Sequence, residues 1–263
     1  MRYLISGASS SLAKTIALEL EIRGHATTLV GRNSQPRFDF LNLGESLPFL
    51  FDSHDVFLHF AHSFEMQVAP DLNEQAALEI TKLIQGKNST VKKCIYISSD
   101  SASAVAKSDY GKSKFRTERV FLNSEKCAVI RLGIINDVNV ESPYKKVRDF
   151  VEKFGVLPFP NPKKRIFTVT RIKVIVENIE KIVRMNLIGG PYKDEASSTV
   201  KSILEILESD GVKPKIVLRI PKICLRFLIF VGGRFKFTRR IADSMISILT
   251  EPETSQQLPH ASS

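Results

Sequence analysis

Arg2-Tyr-Leu-Ile-Ser-Gly7-Ala-Ser-Ser-Ser11-Leu-Ala-Lys-Thr-Ile16-Ala-Leu-Glu-Leu20-Glu-Ile-Arg-Gly24-His-Ala26-Thr-Thr-Leu-Val30 decides the architecture. Residues 2–6 are a short, mostly apolar run of strand length, and Gly7 to Ser11 is a turn of small residues. Leu12, Ile16 and Leu20 then recur at helical spacing as far as Arg23, and Gly24 ends the helix. Ala26 to Val30 is a second short apolar run. Strand, turn, helix and strand in this order make a βαβ unit.

The alternation continues outward. Asp55–Phe60, Lys93–Ser98 and Ala128–Gly133 read as strands, and Asn73–Gln85 and Tyr110–Asn123 as helices. Such a pattern predicts an α/β fold, a Rossmann-type doubly wound parallel sheet with helices on both faces. After residue 136 the pattern loosens around Pro143, Pro158, Pro160 and Pro162, with helical stretches at 145–154, 171–187 and 198–209. The expected organisation is a dinucleotide-binding core over 1–136, a small substrate lobe over 137–250 partly interleaved with it, and a polar tail over 251–263.

Composition fits a globular protein. Apolar residues make up 43% of the 263 and charged residues 25%, and no apolar run approaches the roughly 20 residues of a membrane span. The three cysteines (Cys94, Cys127, Cys224) lack metal-ligand spacing and are odd in number, which points to no metal and to a reducing, cytoplasmic compartment. The net charge of +10 is concentrated between Lys213 and Arg240, where nine basic residues stand without an acidic one. That segment reads as a solvated cover, as part of a diphosphate site, or as a peripheral contact with an anionic membrane. Nucleic acid is not expected, because no recognition motif accompanies the charge.

The Gly7 turn has the make-up of a dinucleotide site. Gly7 allows the tight turn, Ser9, Ser10 and Ser11 keep the backbone open, and the helix beginning at Leu12 aims its N-terminus at phosphates. Ser10 and Ala13 stand where a strict pattern has glycines, so the Ser10 hydroxyl either crowds a phosphate or donates to it. Arg32, just past the second strand, suits a 2′-phosphate and leans the cofactor toward NADP over NAD. Asp39 reads as an adenine contact or a turn cap. His59 and His62 flank Ala61 at a strand end and read as structural or cofactor-adjacent.

Residues 110–114 are Tyr-Gly-Lys-Ser-Lys. The i, i+4 spacing puts Tyr110 and Lys114 on one helical face. An unperturbed tyrosine titrates near 10, and an ammonium beside it favours the phenolate, bringing Tyr110 into general acid–base range. The preceding strand ends in Ser98-Ser99, at the sheet edge where ligands gather. A hydroxyl there can stabilise charge on a substrate oxygen.

On Gly7-Ala-Ser-Ser-Ser-Leu-Ala13, His59-Phe-Ala61, Asn73, Ile97-Ser-Ser99, Tyr110-Gly-Lys-Ser-Lys114 with Glu118, and Val129-Ile-Arg-Leu-Gly133, the chain resembles the short-chain dehydrogenase/reductase superfamily. The likeness is closer to its extended branch, the NAD-dependent epimerases and dehydratases of nucleotide sugars. It covers residues 2–135 well and the remainder faintly. It implies catalysis by Ser99, Tyr110 and Lys114, with Ser98 as substitute for Ser99. It also implies a cofactor held by Gly7, Ser9, Ser10, Ser11, Leu12, Arg32, Asp39, His59, Ala61, Asn73 and Lys114. The implied substrate is a nucleotide sugar, reduced or epimerised at C4 during polysaccharide biosynthesis, and the implied assembly is a homodimer. The alternative is a non-catalytic NADP-binding sensor or scaffold of the same fold. The chain departs from the resemblance in its two replaced glycines, in a short Ser99-to-Tyr110 gap, in 102–107, which lacks the usual Tyr-Gly, and in 167–172, which lacks the usual acids.

Overall fold

The computed structural model describes residues 1–39, 43, 50–63, 72–137, 139–158, 166–192 and 199–218. The elements are β1 (Arg2–Ser6), α1 (Ser11–Ile22), β2 (Ala26–Val30), β3 (Val56–His59), α2 (Leu72–Gln85), β4 (Lys93–Ser99), α3 (Asp109–Leu122) and β5 (Cys127–Leu132). They continue as β6 (Ile134–Ile135), α4 (Pro143–Phe154), β7 (Val156–Pro158), β8 (Ile166–Thr170), α5 (Ile172–Arg184), β9 (Gly189–Tyr192), β10 (Thr199–Ser202), α6 (Ile203–Ser209) and β11 (Ile216–Leu218).

The main sheet has the order β2-β1-β3-β4-β5-β9, and every pairing in it is parallel. This is the expected Rossmann-type doubly wound sheet. The strand order reverses at β1, so the crevice beyond the C-terminal ends of β1 and β3 is where such a sheet takes a ligand.

Strand alternation divides the core. Ile5, Val56, Leu58, Ile95, Ile97 and Ile130 face α1 and α5. Leu4, Phe57, Cys94, Tyr96 and Val129 face α2 and α3. Helix α5 buries Ile172, Ile175, Val176, Ile179 and Ile182 on one stripe, each worth about 1.5–3 kcal/mol when fully covered. Helix starts follow serine caps: the hydroxyls of Ser10, Ser108 and Ser142 accept from the amides of Ala13, Gly111 and Lys145, each worth about 1 kcal/mol.

The chain beyond 136 divides between two bodies. α5 and β9 complete the main sheet and its cover. α4, β8, α6 and their neighbours form a small cluster around Tyr144, Val151, Leu157, Val169, Ile206 and Leu207. Gly133 joins the two. A Cβ there would lie 2.1 Å from the Thr168 carbonyl oxygen, so only glycine lets β8 approach.

One expectation is corrected. The helix expected over 198–209 starts only at Ile203, and Thr199–Ser202 is a strand antiparallel to β8. Ser202 and Glu205 form a capping box that fixes the start; the alternating residues before it pair as a strand. Among the described residues no helix is long and apolar enough to cross a membrane. Of the basic segment, residues 213–218 are described; residues 219–240, the 251–263 tail, Pro160 and Pro162 lie outside the described residues. Cys94 and Cys127 are buried free thiols.

Candidate active site

The turn after β1 is built by backbone. Gly7 takes φ +96°, and a Cβ on it would meet Ala61 N and Phe60 Cβ at 3.3 Å. The Gly7 and Ala8 amides donate to Val30 O at 2.9 and 3.1 Å, which pins the loop to the end of β2. Gly31 continues the contact, since a Cβ there would come within 3.2 Å of Ala8 Cβ. Arg32, next along the chain, is exposed, as is Ser9 in the turn.

The serines divide their work. The Ser10 hydroxyl accepts from Ala13 N at 3.4 Å, so it faces the helix as a cap instead of crowding a phosphate. The Ser11 hydroxyl accepts from Glu141 N at 2.7 Å, tying the small lobe to the start of α1. Leu12 packs its side chain against the core. What α1 offers the crevice is its positive N-terminal end. Asp39 accepts from Arg37 at 2.7 Å, an ion pair within its own loop.

β3 delivers the crevice's other wall. Phe60 N and Ala61 N donate to the Ser6 hydroxyl at 3.1 and 3.2 Å. With both lone pairs of that oxygen used, its proton points to His59 Nδ1, 2.9 Å away. His59 is thus held neutral with its proton on Nε2. Its ring is 1% exposed, stacked on Tyr96 at 5.7 Å and packed against Phe121 at 5.6 Å. Of the two readings of His59, structural or cofactor-adjacent, the buried ring fits the structural one for its side chain. Burial, reinforced by Lys114, pushes its pKa down to about 3.

His62 takes the position one turn of chain later. Its ring meets the Tyr110 ring edge-on at 5.1 Å, and burial drives it well below the ordinary histidine range. Asn73 is buried and fixes this loop to α3: its side-chain oxygen accepts from Ser63 N at 2.8 Å. Its amide donates to Ser63 O at 3.0 Å and to the Ser113 hydroxyl at 3.3 Å.

Tyr110 lies in the first turn of α3. Lys114 Nζ, one turn on, is 5.8 Å from the Tyr110 ring centre and 4.7 Å from that of Tyr96. Nζ donates to Ile97 O at 2.9 Å. Lys114 is 4% exposed, and desolvation brings its pKa down to about 7, with Glu118 acting in the opposite direction.

The two serines ending β4 differ. Ser98 is buried, and its hydroxyl has no hydrogen-bond partner among the described residues. Ser99 is half-buried at the strand mouth, and its oxygen accepts from the Ser101 amide and hydroxyl at 3.2 and 3.0 Å.

No protein-family profile matches the chain, and no curated protein matches it in sequence. Solved structures do match. UDP-N-acetylglucosamine 4-epimerase from Bacillus cereus aligns with a TM-score of 0.67 at 13% identity, over 84% of this chain and 85% of its own. dTDP-glucose 4,6-dehydratase from Bacillus anthracis, solved in complex with NAD, aligns at 0.67 and 13%, over 84% of each chain. A dTDP-4-dehydrorhamnose reductase from Clostridium acetobutylicum aligns at 0.66 and 16%, over 94% of this chain and 98% of its own.

The chain has the fold of nucleotide-sugar epimerases, dehydratases and reductases. The resemblance expected from the sequence holds at the level of fold, across the small lobe as well as the core. Within this fold Gly7 packs against Ala61 at the ends of β1 and β3, and Lys114 lies over the Tyr110 ring on α3. Sequence reasoning read His62 as structural or cofactor-adjacent and did not connect it with Tyr110. Its signal was its place just beyond the C-terminal end of an apolar strand, the sheet edge where ligands bind.

Proposed function

We propose that the chain is an NAD(P)-dependent oxidoreductase or epimerase acting at C4 of a nucleoside-diphosphate sugar in polysaccharide biosynthesis. The observation that carries the reading is the Tyr110–Lys114 pair, with a desolvated lysine whose pKa is about 7. Two features support a dinucleotide there: Gly7 lets the turn pack closely against Phe60 and Ala61 at the end of β3, and a helix N-terminus follows the turn. Gly7, Ser9, Ala61 and Lys114 would hold the group, with Arg32 on the 2′-phosphate of NADP. A bound nicotinamide supplies the hydride acceptor or donor.

The chain's own residues move the proton. Tyr110 takes it from, or gives it to, the substrate oxygen. Lys114 in its ammonium form favours the phenolate. Ser99 donates its proton to the same oxygen and stabilises its developing charge. Asn73 holds the His62 loop against α3, and His62 fixes the tyrosine ring. Arg32 favours NADP and hence a 4-keto-sugar reductase over an epimerase. Tightly held NAD in the purified protein contradicts that preference.

Tyr110→Phe tests the reading. Turnover of 4-keto and 4-hydroxy nucleotide sugars is expected to drop by about 10²–10⁴-fold, with cofactor binding retained by fluorescence titration. Unchanged turnover on every accepted substrate refutes it. A second reading, NADP binding without catalysis, is motivated by Ser10 and Ala13 standing where a strict dinucleotide turn has glycines. It predicts binding without turnover in the same assay.

A further inference from the structure

Tyr110, Lys114 and Glu118 stand one turn apart on α3, along one face. Lys114 and Glu118 are both buried, Glu118 at 1% exposure. The lysine's hydrogen bond goes to a carbonyl, Ile97 O. The carboxylate is committed elsewhere. Glu118 Oε1 accepts from Arg131 Nε at 2.8 Å and Oε2 from the second Arg131 nitrogen at 2.6 Å. Arg131 comes from β5, in register with Ser98 on β4.

The groups facing Lys114 come from four elements. Tyr110 and Glu118 are on its own helix, Tyr96 on β4, His59 at the end of β3, and His62 on the loop beyond. Burial keeps both histidines neutral at pH 7. Asp100, past β4, acts on Arg131. The charge acting on the lysine is therefore Glu118, which is itself paired with Arg131. A buried pair of this kind is strongly perturbed when one partner is removed, because the other charge is left uncompensated.

We propose that Glu118 and Arg131 are positioning residues of opposed action: Glu118 draws the proton onto Lys114, and Arg131 restrains Glu118, so the pair sets the pH at which Lys114 tunes Tyr110. The proposal rests on the catalytic reading of Tyr110 and Lys114. Neither Glu118 nor Arg131 touches the reacting atoms. They act through the lysine's charge. Removing the carboxylate leaves Arg131 and Lys114 as two unbalanced cations. Removing the guanidinium leaves Glu118 with Lys114 as the nearest positive charge.

The test compares Glu118→Gln, Arg131→Gln and the double variant. The Lys114 midpoint is read from its ε-carbon NMR resonance, assigned by its loss in Lys114→Met, and the limb of the kcat/KM pH profile is followed in parallel. Glu118→Gln should lower the midpoint by about one pH unit and Arg131→Gln should raise it by about one, a tenfold change in the proton equilibrium each way. The double variant should return toward the parent value. Shifts of the same sign, or none, overturn the proposal. Where a glutamine variant does not fold, Arg131→Lys serves instead: it keeps the charge and should move the midpoint by under half a unit while halving the hydrogen bonds. A full-unit shift in Arg131→Lys also overturns the proposal. Opposed NMR shifts with turnover surviving Tyr110→Phe sink the catalytic reading and leave the pair standing. Absent shifts with turnover lost in Tyr110→Phe do the reverse.

Discussion

His59 gives an acid-sensitive fold, and the size of the effect follows from its setting. Its ring is fully enclosed, and its Nδ1 already accepts the Ser6 proton. Protonation would place a charge in an aromatic cluster and break that bond. The folded-state pKa is about 3, against 6.5 for the free side chain. Because the folded value is the lower one, between those limits the unfolded chain binds a proton that the folded chain does not. Stability is therefore lost as pH falls through 6.5 toward 3, and this residue contributes no pH dependence above 6.5. Each pH unit below 6.5 costs about 1.4 kcal/mol, so at pH 5 the loss is about 2 kcal/mol, a large part of a total of roughly 5–15 kcal/mol.

His59→Asn isolates this contribution. The asparagine oxygen can accept from Ser6 and does not titrate, although lost ring packing should lower stability by about 2–4 kcal/mol at neutral pH. Urea denaturation midpoints of parent and variant, measured from pH 7 to pH 5, give the comparison. The variant's deficit should shrink by about 2 kcal/mol over that range. A deficit that stays constant refutes the reasoning.

Two further outcomes are expected. Gly133→Ala forces a methyl to within 2.1 Å of Thr168 O, so the β6–β8 contact must open; thermal melting should show a loss of at least about 1–3 kcal/mol, and an unchanged melt contradicts the close approach. Arg32→Asp should reverse the cofactor preference, weakening NADP relative to NAD by tenfold or more in fluorescence titrations, since an acid repels a 2′-phosphate and accepts from a ribose hydroxyl.

Short-range patterns fixed much of this protein in advance. The spacing of Leu12, Ile16 and Leu20, the apolar runs at 2–6 and 26–30, and Gly24 between them sufficed for the βαβ unit, because strand and helix periodicity are local properties. The i, i+4 spacing was enough to pair Tyr110 with Lys114. Local pattern did not reveal which side chain turns into the core. His59 and His62 look alike in sequence; strand alternation and the Ser6 hydroxyl sent one ring into the aromatic cluster between the sheet and α3 and left the other against Tyr110. Ser98 and Ser99 were separated in the same way, one beneath α3 and one at the strand mouth. Nor could sequence show that Thr199–Ser202 pairs with β8, that β9 returns to the main sheet, or that Arg131 occupies both oxygens of Glu118. Those contacts join residues far apart along the chain, and their register is set by packing between elements, which no single segment encodes.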